Sequence, residues 1–229
     1  MLLAVLSALV PGLLWVWFFY RYDRYEPEPK RMVFRTFVAG MIAVFPAAVL
    51  ETSVRPFILN SSSLVTMFIA VVVGIGLVEE GVKLLVVYWS AYRKPEFDEV
   101  LDGVIYGTTA GLGFASLETF FYIQRYGLGV APARALLTAL AHASFTGLAG
   151  YYLGLAKLGP PESRRGRIIR GLFFAVLLHA VYDFLILSKL APTYSLLVAG
   201  FAYAALAARI RQAQRISSFG PTKGDDGET

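Results

Sequence analysis

The chain has 229 residues, of which 57% are hydrophobic and 16% charged, with a mean hydropathy of +0.60 and a formal net charge of +5. That balance departs from the one soluble domains keep and points to an integral membrane protein. Cysteine is absent, which excludes disulfides, thiolate metal sites and a cysteine nucleophile, so any metal must be held by His, Asp or Glu.

A helix needs about 20 mostly apolar residues to cross the hydrocarbon core. That length predicts seven spans, over residues 2–20, 32–50, 64–92, 103–124, 135–156, 171–188 and 191–208. The expected fold class is therefore all-α, a polytopic transmembrane bundle. The first span has no basic residues before it and no small-residue cleavage site, so it reads as a retained anchor rather than a secretory signal. Only Lys189 and Leu190 separate the last two spans, with Pro192 close behind, which predicts a tight helical hairpin. Residues 1–216 are expected to form a single transmembrane domain. The remainder, 217–229, is Gly-rich and polar, and is expected to be a disordered cytoplasmic tail.

Basic residues in the connections set the orientation. With the amino terminus outside, sixteen Lys and Arg fall on the cytoplasmic side and four, Arg55, Arg125, Arg134 and Lys189, on the outer side. This predicts a carboxyl terminus in the cytoplasm and a multi-pass protein of the cell membrane. It also assigns the positive charge to anionic lipid, leaving no need for nucleic acid. No signal of oligomeric state is present.

A charge at bilayer depth costs at least ~2.5 to 3.5 kcal/mol, so each one is a functional candidate. The predicted spans contain Glu79, Glu80, Lys83, Glu118, His142, His179 and Asp183, including both histidines of the chain. The third to sixth spans each supply at least one, which predicts a single convergent polar site. Glu79 lies four residues before Lys83 and Glu80 three, so the amine neutralises at least one carboxylate within the helix. The better pairing geometry of Glu79 nominates Glu80 for water activation. Gly107, Gly111, Ala115, Glu118 and Tyr122 form a stripe whose small residues let a neighbouring helix approach and carry Glu118 inward. His179 and Asp183 are again four apart.

Two His and several carboxylates suit Zn²⁺, which in catalytic sites takes three protein ligands and a water. A nearby Glu then serves as general base. Without metal, a buried Glu and His sharing an activated water reach the same hydrolysis. A proton- or ion-coupled transporter is the alternative reading of intramembrane Glu, His and Asp, but no inverted repeat or pair of broken helices accompanies them. A non-catalytic scaffold is a third reading, against which the complete Glu and His set argues.

Five stretches together resemble the PrsW-type intramembrane proteases, relatives of the CAAX prenyl and bacteriocin-processing membrane proteases. They are DRYEPEP from Asp23, EEGVK from Glu79, DGVIYGTTAGLGFASLETFFY from Asp102, HASFTGLAGYYLG from His142 and HAVYD from His179. Thr119 departs from the Asn that relatives often carry after the acid. The resemblance implies hydrolysis of a peptide bond in a membrane-anchored protein substrate, with anti-sigma factors cut on the outer side as the family's example. It implies essential Glu79 and Glu80, completed by His142 and His179. Zinc and a metal-free glutamate mechanism both stand. The full candidate site is Glu79, Glu80 and Lys83 as catalytic groups, His142, His179, Glu118 and Asp183 as metal ligands, and Tyr122 behind them.

Overall fold

The computed structural model describes residues 1–219. Among them are seven helices long and apolar enough to span a membrane: α1 Leu2–Tyr20, α2 Lys30–Glu51, α3 Leu64–Tyr92, α4 Val100–Tyr126, α5 Leu128–Leu158, α6 Pro161–Leu187 and α7 Pro192–Arg215. No strand occurs among the described residues. The expected spans are all present. Of the expected tail, Ser217 donates a hydrogen bond to Glu99, and residues 220–229 lie outside the described residues.

The least and the most buried helices differ in hydropathy as their surroundings require. The best window of α1 has a mean hydropathy of 2.2 and is 22% buried by protein, whereas that of α4 has 1.2 and is 94% buried. Lipid accepts only apolar side chains, so a helix rich in Gly, Thr and Ser belongs inside, where its polar groups find partners. α4 is the central post, packed against α1, α2 and α5.

Its approach to α5 is backbone on backbone. A Cβ at Gly103 would stand 2.2 Å from the Gly150 carbonyl oxygen, and one at Gly150 only 1.9 Å from that of Gly103. Along the same seam Gly107 meets the Thr146 carbonyl and Gly111 that of His142, so the small-residue stripe sets how closely His142 is delivered to the bundle axis. Around it Phe19, Phe37, Phe97, Tyr106, Tyr151 and Leu206 form the main apolar core.

Two local breaks aim side chains at the site. α2 is interrupted at Ala43, because the ring of Pro46 removes an amide donor and crowds the carbonyl four residues earlier. Its second half, Val44–Glu51, runs against α3. In α3 a π-helical turn, Val72–Gly76, immediately precedes the α-helical Leu77–Val87 that carries the paired acids. The α6–α7 hairpin is as tight as expected, with Lys189 at a φ of 57°.

The DRYEPEP stretch closes the end of the bundle opposite Glu51. Asp23 accepts from the Glu28 amide at 3.0 Å, and the Tyr106 hydroxyl donates to Glu28 at 2.5 Å. Burial pushes the Asp23 carboxyl up to about 6. Burial, followed by the charge of Asp102, also raises Glu28 above the usual carboxylate range.

Candidate active site

The residues singled out from the sequence converge. Glu79, Glu80 and Lys83 from α3, Glu118 from α4, His142 from α5, and His179 and Asp183 from α6 meet around one cavity of about 400 Å³. Glu51, Glu79, Glu118, Tyr122, Arg134, His142 and Asp183 line it.

Lys83 is the hub. Its ammonium is fully buried and donates to Glu79 Oε2 at 2.9 Å, Glu80 Oε1 at 3.0 Å and His142 Nδ1 at 2.8 Å, and it lies 4.1 Å from the centre of the Phe114 ring. All three of its protons therefore have acceptors, which a buried ammonium requires.

The two acids differ in surroundings. Glu80 is fully buried. Besides Lys83, its Oε1 accepts from His179 Nδ1 at 2.8 Å and its Oε2 accepts from the Thr146 hydroxyl at 2.8 Å. Both oxygens are engaged, and neither Glu80, nominated above for water activation, nor His179 lines the cavity. Glu79 faces the cavity, and among the described residues its Oε1 accepts no hydrogen bond.

The imidazoles are constrained accordingly. His179 gives its Nδ1 proton to Glu80, which leaves Nε2 pointing at Glu79 Oε2, 3.7 Å away, and at Asp183 Oδ2, 3.4 Å away. A ring nitrogen facing two carboxylates calls for positive charge there, either a proton on Nε2 or, with the neutral ring, a cation between them. Tetrahedral Zn²⁺ with bonds near ~2.0 to 2.1 Å has ligand-to-ligand edges of roughly 3.4 Å, close to these separations. A carboxylate holding the far ring nitrogen is the usual support for a metal-bound His. Glu79, His142 and His179 offer ligand atoms that all lie within 4.8 Å of one another. The donor set therefore fits a divalent ion. His142 Nδ1 accepts from Lys83, so its other nitrogen carries the proton toward Glu118 Oε2, 3.4 Å away. Ligation by His142 requires the Lys83 contact to open.

Two cavity residues escaped the sequence reading. Arg134, counted there among outer connections, lies within α5. It donates to Glu118 Oε2 at 2.6 Å and to the Thr119 hydroxyl at 3.1 Å, and it sits 3.9 Å above the Tyr122 ring. Eight residues in a straight α-helix leave Arg134 about 80° away from the face of His142. The π-helical turn Arg134–Thr138 takes up an extra residue and removes that offset, and nothing in the sequence marks the turn. Glu51 lies one residue past the predicted second span. The recurrence of Val44, Ala48 and Glu51 on one helix face was the available signal, and all three line the cavity.

Comparison with known proteins agrees with this geometry. Residues 28–208 match the family model described as PrsW family intramembrane metalloprotease. Curated relatives include Protease PrsW of Geobacillus kaustophilus, 36% identical over 80% of this chain and 79% of the relative. Protease PrsW of Bacillus subtilis is 34% identical over 80% of this chain and 83% of the relative. No solved structure matches. With seven spans, a buried carboxylate and histidine site, and a family match over most of its length, the chain belongs to the PrsW family and is a multi-pass intramembrane protease.

Proposed function

We propose that the cavity hydrolyses a peptide bond of a membrane-anchored protein at the outer side of the cell membrane, with Glu79 as the proton-transferring base and zinc as the metal. The observation that carries this reading is the contrast between the two acids: Glu80 is saturated by three donors, whereas Glu79 presents a free oxygen to the cavity. The base therefore moves from Glu80, which pairing along the helix favoured, to Glu79. The tertiary donors Thr146 and His179, not the spacing to Lys83, make the difference.

Glu79 Oε1 takes a proton from the attacking water and returns it to the departing amine, which general base catalysis followed by acid catalysis requires. Glu80 fixes the ring plane and tautomer of His179. Lys83 keeps the paired carboxylates from repelling each other. Arg134, stacked on the Tyr122 ring, holds Glu118 beside His142. Zinc held by Glu79, His142 and His179, with Asp183 beside His179, would supply Lewis acidity to the water and the scissile carbonyl. The proton path through Glu79 is the same without it.

The orientation from basic-residue counts places Glu51, Tyr126 and Leu187, and so the cavity mouth, at the outer face. That side suits cleavage of an anti-sigma factor or another single-span signalling protein. Residues 1–216 act as one catalytic domain. Reconstitution with a single-span substrate tests the assignment: Glu79→Gln should cut at least about 1,000-fold more slowly than wild type, and cleavage by purified Glu79→Gln at the wild-type rate would contradict it.

A further inference from the structure

The acidic and basic side chains lining the cavity, its two tyrosines aside, are Glu51, Glu79, Glu118, Arg134, His142 and Asp183. All but one have partners. Glu79 pairs with Lys83 at 2.9 Å, Glu118 with Arg134 at 2.6 Å, His142 with Lys83 at 2.8 Å, and Asp183 faces His179 at 3.4 Å. Among the described residues no hydrogen bond or ion pair engages the Glu51 carboxylate.

Glu51 is also placed to be read from outside. It is the last residue of α2, held on the cavity face by the Val44, Ala48, Glu51 stripe, and the next two residues, Thr52 and Ser53, are exposed. It is partly buried itself and lies in the repulsive field of Glu79 and Glu118, which the charges of Lys83 and His179 offset only in part. A partly desolvated carboxylate near like charges is an expensive arrangement unless it takes up a proton or a cation arrives. With four carboxylates and one guanidinium on the cavity wall, the local field also draws cations in.

We propose that Glu51 is a specificity determinant that binds a Lys or Arg side chain of the substrate, flanking the scissile bond where the substrate chain leaves the membrane. The inference rests on the reading of this cavity as the active site. A substrate bearing a basic residue at that position gives Glu51 its missing partner, whereas an acidic residue there meets unrelieved repulsion. Discrimination by a buried or half-buried charge pair works in this way, through the penalty on the wrong partner as much as the gain from the right one.

The test is a library of single-span substrates in proteoliposomes, with one position at a time, walked across the outer membrane boundary, set to Lys, Gln or Glu. Cleavage products are sequenced by mass spectrometry for wild type, Glu51→Gln and Glu51→Lys. Wild type should favour Lys over Glu at one position by at least about tenfold. Glu51→Gln should erase that preference and Glu51→Lys should invert it, with cleavage at other positions unchanged. Because Glu51→Gln keeps the side-chain shape and creates no new internal ion pair, it decides the matter even if Glu51→Lys is poorly active. The same positional profile in wild type and Glu51→Gln would overturn the role of Glu51 while leaving the protease reading intact. Failure of wild type to cut any member would overturn that reading and this inference together.

Discussion

Gly150→Ala should disable the site from a distance. The added Cβ would stand 1.9 Å from the Gly103 carbonyl oxygen and 3.2 Å from Gly107 Cα, all of it backbone on the facing helix, so no side chain can swing aside. An ordinary contact begins at 3.4 Å, so α5 must back away from α4 by about 1.5 Å, an overpacking that costs roughly 1 to 3 kcal/mol. Two helical turns before Gly150, the same movement carries His142 away from Lys83, and one turn before it carries Thr146 away from Glu80, breaking contacts of 2.8 Å each. A displacement of ~1 Å in a catalytic constellation costs on the order of 100-fold in rate. Thermal unfolding in detergent, together with cleavage of a single-span substrate, reads both effects. Gly200→Ala is the control, since a Cβ there meets nothing within 4 Å. Wild-type stability and rate in Gly150→Ala would refute the claim that the α4–α5 seam sets the geometry of the site.

Lys83→Met leaves two buried carboxylates without their shared cation, and breaking a buried pair in this way costs about 3 to 5 kcal/mol. Its melting temperature should fall sharply, and added zinc should restore more of it than it adds to wild type; an unchanged melt would count against the hub role. Arg134→Gln releases Glu118 and should slow cleavage by about 10- to 100-fold while zinc content holds, whereas a wild-type rate would place Arg134 outside the machinery. At the other end of the bundle, the Asp23 carboxyl rises from its ordinary 3.8 to about 6 through burial. Its contribution to stability is then fully present below about pH 4 and is lost as pH rises through about 6. Melting temperatures of Asp23→Asn should therefore vary less with pH across that window than those of wild type, and parallel curves would contradict the buried acid.

The spans were legible because the bilayer imposes a length and an apolarity that read directly from the chain, and the helices overrun the predicted ends where polar residues such as Arg164 and Arg167 continue them beyond the hydrocarbon. The site was legible for the same reason: a charge such as Glu118 or His179 inside such a stretch is anomalous, and the glycine seam explains how His142 is brought close. Three things were not. Whether Glu79 or Glu80 faces the cavity depends on Thr146 and His179, which are 66 and 99 residues away from Glu80. Arg134 owes its position to a π-helical turn with no sequence mark. Glu51 stood at a span end, where an acid is unremarkable until the helix is known to be broken near Pro46 and laid against α3.

The central claim is that the buried group of Glu79, His142 and His179 holds a catalytic ion. Purified protein stripped with a chelator and titrated with zinc tests it most directly, with bound metal and substrate cleavage measured on the same samples. The account predicts about one zinc per chain, cleavage that rises in step with occupancy, and loss of both in His179→Ala. Full cleavage by the stripped wild-type protein, with no metal bound, would contradict it.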